Sequence, residues 1–104
     1  MTNNWNIPAW LEAEVRDRDR VCVYCGVEFT PAKVSRGSAA SWEHIINDAK
    51  IITRENIALC CCGCNSSKGQ KQLSAWLEST YCKQRGITPE KVAPIVKEAI
   101  KNGL

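Results

Sequence analysis

Hydrophobic residues recur at helical spacing near the start of the chain. Trp10, Leu11 and Val15 follow Pro8 along the sequence, at intervals that fit one side of an α-helix. Proline is well tolerated in the first turn of a helix, because its missing amide proton would have no partner there. The pattern predicts an N-terminal helix over about residues 8–18.

Two short segments in the middle of the chain have the pattern of strands. Residues 41–46 and 56–60 are rich in β-branched, aromatic and other apolar side chains. Segment 28–40 contains proline, glycine and several serines, which predicts a loop before the first strand. Because successive strand residues point to opposite faces, Glu43 and His44 are expected to leave the backbone in opposite directions.

Beyond residue 65 the hydrophobic spacing is helical again. Apolar side chains lie at i, i+3, i+4 and i+8: Leu73, Trp76, Leu77 and Tyr81. This stripe predicts a helix that starts near Asn65 and ends at Gly86. A last helix is expected from Thr88, and Pro94 within it should kink it or shift its start. Together these helices form a C-terminal extension of about residues 70–101 whose apolar stripes belong to the core.

Composition indicates one globular domain over residues 1–104. The chain is 44% hydrophobic and 24% charged, which fits neither a disordered chain nor a membrane protein. No apolar run approaches the roughly 18 residues that a membrane span requires. The first ten residues lack a basic start followed by an apolar segment, so no secretory signal is predicted. We therefore expect a cytoplasmic, intracellular protein.

Charge is mildly positive and unevenly distributed. The formal net charge is +3, and six of the eight lysines of the chain follow residue 65. A basic half fits a nucleic-acid backbone as partner, but a lysine-rich helix face is also commonly just solvated surface.

Cysteine content is the most informative compositional feature. The chain has seven cysteines, an odd number with no predicted export signal, which favours metal ligation over a disulfide framework. Four of them form two C-x-x-C pairs: Cys22 with Cys25, and Cys61 with Cys64. Two such pairs supply the four thiolates of a tetrahedral structural zinc site, with zinc–sulfur distances of about 2.3 Å.

The cluster before Cys64 requires a choice of ligand. Spacing selects Cys61, and strand alternation then places Cys60 on the opposite face. Cys60 and Cys82 are expected to pack as small apolar residues, and Cys62 to be partly exposed and oxidisable. A redox protein in which the adjacent cysteines respond to oxidant is one alternative at this point.

These elements predict an α+β fold. At its centre is a small ββα unit, in which two strands joined by a turn are followed by a helix, and cysteines lie where the elements meet. About 40 residues bury too little apolar surface to be stable alone, whereas a structural zinc contributes roughly 10 kcal/mol or more to coupled folding. We therefore expect a metal-bound core with an N-terminal helix and C-terminal helices around it.

Four motifs occur in a distinctive order. They are Cys22-x-x-Cys25-Gly26, Glu43-His44-Ile45-Ile46, Glu55-Asn56-Ile57 and Cys61-x-x-Cys64-Asn65-x-x-Lys68-Gly69. In order, spacing and residue type, this set resembles the HNH endonuclease family over residues 22–69, and IPAWLEAEVRDRDR is similar to the helix that often precedes the motifs. The resemblance implies a ββα-metal (His-Me finger) core and a metal-dependent DNA endonuclease or nickase.

The resemblance also implies roles for four residues. His44 matches the general base that acts on the attacking water, and Glu43 matches a ligand of the catalytic divalent ion. Asn56 matches the middle asparagine, which holds the backbone around the histidine. Asn65 matches the last motif position, which supplies the second protein ligand to that ion.

Two departures from the family pattern stand out. Asparagine at position 65 gives an H-N-N form, whose oxygen donors favour Mg²⁺ or Mn²⁺ over an imidazole-bound zinc. Asn47 replaces the proline that commonly follows the histidine segment, which removes a conformational restraint but no reactive group.

Several basic residues are candidates for contact with the DNA backbone. Lys68 and Lys71 are expected in the first turns of the helix after Asn65, and Arg54 and Arg36 are further candidates. Phosphate contacts position a nucleic acid without reading its bases. A zinc-dependent nucleic-acid-binding module without catalysis is the alternative function, and the sequence leaves monomer or homodimer undetermined.

Overall fold

The structure, a computed structural model, describes residues 5–102, so the ends of the predicted 1–104 domain lie outside it. In chain order the elements are α1 (Ala9–Arg18), β1 (Ala40–His44), β2 (Ile57–Cys61), α2 (Cys62–Lys68), α3 (Leu73–Leu77), α4 (Thr80–Arg85) and α5 (Pro94–Lys101). The predicted α+β class is confirmed as a two-stranded antiparallel sheet with five helices among the described residues.

The two strands pair so that each face of the sheet packs on a different part of the chain. Trp42 lies opposite Leu59, and Glu43 lies opposite Ala58. One apolar cluster covers the first face and consists of Ile7, Leu11, Val15, Trp42, Ile57 and Leu59. Ala58 belongs to a second, larger cluster, in which the C-terminal helices take part. Glu43 therefore points toward the larger cluster, as strand alternation requires.

Helix α1 begins directly after Pro8, which confirms the predicted N-terminal helix to within a residue. Leu11 and Val15 are fully buried against the sheet. Trp10 is 59% exposed, so its expected place on the buried side of this helix is wrong. Adjacent residues on a helix lie about 100° apart, and Leu11 occupies the buried position.

The single helix expected from residue 65 to residue 86 is wrong, because the chain breaks it into α2, α3 and α4. Helix α2 starts earlier than expected, at Cys62, where the Cys61 sulfur accepts a hydrogen bond from the Cys64 amide. Gly69 ends it with φ 51° and ψ −123°, a conformation open chiefly to glycine. Ser79 caps α4 by accepting from the Cys82 amide, and Gly86 ends it in the left-handed conformation, as predicted.

Helix α5 begins at Pro94 instead of near Thr88, so the predicted shift in its start is confirmed. Ala93 is the N-cap and Pro94 occupies the first turn, where a proline costs no backbone hydrogen bond. Val96 and Ala99 are buried against the larger cluster. None of the helices within residues 5–102 has the length and hydrophobicity needed to cross a bilayer.

Candidate metal centre and cleft

Four cysteines converge at the junction of β2 and α2. The sulfur atoms of Cys22, Cys25, Cys61 and Cys64 all lie within 4.8 Å of one another. The Cys25 and Cys61 sulfurs are 3.8 Å apart, close to the edge of about 3.8 Å that a tetrahedron with zinc–sulfur bonds of 2.3 Å requires. The structure therefore assembles a four-cysteine cluster that is compatible with zinc, from the residues that the C-x-x-C spacing selects.

Local hydrogen bonds prepare the cluster for negative charge. The Cys25 amide donates to the Cys22 sulfur at 3.5 Å, and the Cys64 amide donates to the Cys61 sulfur at 3.4 Å. A hydrogen bond with Cys64 lowers the pKa of the Cys22 thiol to about 5, whereas burial raises the pKa of Cys25 to about 11. Without an ion, the cluster favours deprotonation of one cysteine. Deprotonation of all four cysteines needs a bound cation.

The remaining cysteines lie where the sequence placed them. Cys60 and Cys82 are buried in the larger apolar cluster, which confirms their predicted packing role. Cys62 is half-buried, as expected. It also lines a cleft beside the sheet, a position that the cysteine spacing does not predict.

The cleft has a volume of about 530 Å³ and brings together three of the four residues matched to the catalytic motif. Glu43 and His44 line it from β1, and Asn65 lines it from α2. The wall also includes polar side chains of the following turns, Asn47 and Gln70. An acid, an imidazole and an amide therefore border one solvent-accessible space.

Glu43 is buried and fully engaged at one of its carboxylate oxygens. Oε2 accepts a 2.6 Å hydrogen bond from the Tyr24 hydroxyl and lies 3.1 Å from the Lys68 ammonium. Burial raises the pKa of Glu43, although Lys68 and Tyr24 both oppose the rise. Burial also raises the pKa of Tyr24, and the neighbouring carboxylate adds to that effect. Within the described chain, Oε1 makes no hydrogen bond and is the oxygen that a further cation would meet.

Lys68 departs from its predicted role at a flanking phosphate. Its side chain is only 1% exposed, and besides Glu43 it contacts the backbone carbonyl oxygen of His44 at 3.4 Å. A buried ammonium needs a partner to offset its desolvation, and Glu43 supplies one directly across from α2. Lys68 is therefore a buried partner of the candidate acid instead of a surface contact.

His44 points to the other face of β1, as strand alternation predicts. Its Nε2 atom is buried and has no hydrogen-bond partner in residues 5–102. Burial, followed by the positive charge of Lys68, lowers the pKa of His44 below 6.5. The lowered pKa favours the neutral imidazole near pH 7, and the residue lines the cleft although its Nε2 atom is itself buried.

Asn65 is held on the same face of the sheet as Glu43. Its Nδ2 donates to the Ser41 hydroxyl and, at 3.1 Å, to the Trp42 carbonyl oxygen. Because these bonds use the amide nitrogen, the carbonyl oxygen Oδ1 is the atom that remains to face a ligand.

Asn56 ties down the segment that follows His44. Its Oδ1 accepts from the Ile46 amide at 2.6 Å, and its Nδ2 donates to the carbonyl oxygens of Ile46 and Ile51. The buried side chain therefore connects the exit from β1 to the entry into β2. This backbone-holding position is the one that the resemblance implies for the middle asparagine.

The other candidate DNA contacts are spread over different parts of the surface. Arg54 pairs with Glu14 at 2.6 Å and lies over the Trp10 ring, so it borders α1 and not the cleft. Lys71 is exposed and follows Gln70, which lines the cleft. Arg36 lines a separate shallow depression.

Two residues beside the site had not been singled out from the sequence. Tyr24 lies inside the first C-x-x-C pair, a position at which sequence reasoning considered only the cysteines. Trp5 lies at the cleft and packs against His44 with ring centroids 5.0 Å apart. A tryptophan has no local signal that separates a core residue from a binding residue, so only the three-dimensional arrangement identifies it.

Comparison of the chain with protein-family models, with curated protein sequences and with solved structures gives no significant match. A functional assignment must therefore draw on the motifs and on the geometry described above.

Proposed function

We propose that this protein is a metal-dependent DNA endonuclease or nickase of the HNH type, built on a ββα-metal core. The observation that carries the proposal is the cleft that Glu43 and His44 of β1 share with Asn65 of α2. As in the motif it resembles, the acid and the histidine are adjacent and the asparagine follows the second cysteine pair.

A structural zinc fits the four-cysteine cluster. The sulfur spacing suits a tetrahedral ion, and a closed set of four thiolates is typical of structural zinc sites. The cluster joins segment 22–25 to the junction of β2 and α2, so its role is to hold the ββα unit together beneath the cleft.

The cleft offers donors for a second, different cation. Glu43 Oε1 and Asn65 Oδ1 are hard oxygen ligands, which Mg²⁺ and Mn²⁺ prefer. Tyr24 and Lys68 hold Glu43 through Oε2, an arrangement like the outer-shell bonds that orient carboxylate ligands elsewhere. A bound divalent ion would supply charge stabilisation to the phosphodiester and its leaving oxygen.

His44 is suited to receive a proton from water. Hydrolysis of a phosphodiester near neutral pH needs a proton acceptor, and a neutral imidazole has the appropriate basicity. Asn56 fixes the backbone directly after His44 and so restrains the position of the ring. As the family implies, the products would carry 5′-phosphate and 3′-hydroxyl ends.

One observation favours the alternative of a non-catalytic nucleic-acid-binding module. The Lys68 ammonium already neutralises Glu43 inside the fold, so the pair is self-sufficient as a structural element. The endonuclease requires a divalent ion in the cleft and His44 for cleavage. The binding module requires neither, and His44 would then have only a structural role.

The deciding experiment is conversion of supercoiled plasmid by zinc-loaded protein with Mg²⁺, Mn²⁺ or EDTA. We expect nicking that requires the divalent ion and falls by about 100-fold or more in His44→Ala, the usual cost of losing a general base. Glu43→Gln should also lose cleavage, because it weakens the ligand set, whereas exposed Glu28→Gln is the matched control and should cut normally.

Equal zinc content in all variants separates loss of chemistry from loss of fold. If wild-type protein cleaves no plasmid, single-stranded or branched DNA, and His44→Ala binds DNA as tightly as wild type, the endonuclease proposal is wrong and the binding module is correct.

A further inference from the structure

Trp5 occupies a distinctive position beside the candidate base. Its ring meets the His44 imidazole edge to face, with centroids 5.0 Å apart and planes inclined by 73°. The residue lines the same cleft as Glu43 and Asn65, yet 45% of its surface is exposed. The Trp5 side chain therefore lies at the edge of a polar cleft and is only partly buried.

The backbone before α1 is shaped to hold Trp5 there. Ile7 is buried in the cluster between α1 and the sheet, and Asn6 between them has φ 58°, in the left-handed region. Asparagine is one of the few non-glycine residues that adopt this conformation readily. The turn sends the side chains at positions 5 and 7 to different places, one to the cleft and one to the core.

Trp10 is also exposed, so exposure alone does not distinguish Trp5 from the other tryptophans. It is more exposed than Trp5, at 59%, but it does not line the cleft and has the Arg54 guanidinium over its ring at 5.8 Å. Trp5 instead packs against the His44 ring, and both residues line the cleft in which substrate would bind.

We propose that Trp5 stacks on an unpaired nucleobase next to the phosphate to be cut, so that the preferred substrate is single-stranded or locally unpaired DNA. The inference rests on the proposed endonuclease function. An indole face stacks well on any base, but within a duplex both faces of each base are already covered by neighbouring pairs. Only a base outside the helical stack offers a face to Trp5.

The test compares binding and cleavage of a short single strand and of a hairpin duplex. Zinc-loaded wild type, Trp5→Ala, Trp5→Phe and Trp10→Ala are titrated against labelled DNA in EDTA, and cleavage is then followed with Mg²⁺ or Mn²⁺. We expect Trp5→Ala to weaken single-strand binding about 10-fold, with duplex binding unchanged. Trp5→Phe should retain much of the affinity, and Trp10→Ala should behave as wild type.

Two results would overturn the inference while leaving the endonuclease proposal intact. One is cleavage by the wild type with equal effects of Trp5→Ala on single strand and duplex. The other is faster cleavage by Trp5→Ala, which would make Trp5 a cover over His44 instead of a stacking platform. Absence of any cleavage by wild type would instead refute the proposed function, and this inference with it.

Discussion

At the scale of single residues, Lys68 and Glu43 form the most deeply buried ion pair within residues 5–102. Two desolvated charges are stable only when they remain together with well-formed hydrogen bonds, and the Tyr24 hydroxyl completes the arrangement at Glu43 Oε2. Removal of one member leaves the other charge buried without its partner.

We therefore expect Lys68→Met to lower the free energy of unfolding by about 3 kcal/mol. The double variant Lys68→Met with Glu43→Gln should recover at least half of that loss, since no buried charge remains. Urea denaturation of zinc-loaded protein measures both, with exposed Lys71→Met as control. Equal stability of the two single lysine variants would contradict a buried ion pair.

Removal of the Tyr24 hydroxyl tests the same site without leaving a buried charge unpaired. Tyr24→Phe removes a single 2.6 Å hydrogen bond to a carboxylate, for which we expect a loss of about 2 kcal/mol in unfolding free energy. If Glu43 also binds the divalent ion, Mn²⁺ affinity measured by electron paramagnetic resonance should fall as well, because the carboxylate is less well oriented. Unchanged Mn²⁺ affinity at unchanged zinc content would separate Tyr24 from the metal-binding role of Glu43.

At the level of elements, the connection between β1 and β2 depends on one asparagine. The Asn56 side chain makes three hydrogen bonds to the backbone at Ile46 and Ile51. These bonds replace the strand pairing that would otherwise satisfy this irregular segment.

Asn56→Ala should therefore cost about 2 kcal/mol and accelerate hydrogen exchange at the Ile46 amide. Asn56→Asp keeps the acceptor for that amide but loses both donors, so it should protect Ile46 better than alanine does. Asn47→Ala, at an exposed asparagine, is the control. Exchange at Ile46 that is insensitive to both Asn56 variants would show that the loop is held by other contacts.

The same elements show how far the sequence predicts this fold. Strand positions, the α1 boundaries and the ligand choice of Cys61 over Cys60 were predictable, because alternation and C-x-x-C spacing are local signals. The break at Ser79 was not, since the apolar stripe from Leu73 to Tyr81 runs through it and helix periodicity alone cannot reveal a cap, and the break at Gly69 was missed as well. Burial of Lys68 was also missed, because it depends on α2 packing across β1 and opposite Glu43.

For the whole molecule, the four-cysteine cluster links parts that the sheet alone does not connect. The turn at 22–25 meets the 61–64 junction at this cluster, and the Val23 amide donates to the Leu59 carbonyl oxygen of the adjoining strand. The apolar core is divided between two clusters, so neither cluster by itself holds all the elements in place.

Zinc removal should consequently unfold the protein instead of merely inactivating it. We expect about one zinc per chain, and we expect Cys64→Ser to lose both the ion and the cooperative unfolding transition, because structural zinc binding is coupled to folding. Cys62→Ser is a closely matched control, since Cys62 lies two residues away and outside the cluster. It should retain zinc and its urea midpoint. A zinc-free wild type with an unchanged midpoint would mean that the two apolar clusters suffice, and that the cysteine cluster serves some purpose other than stability.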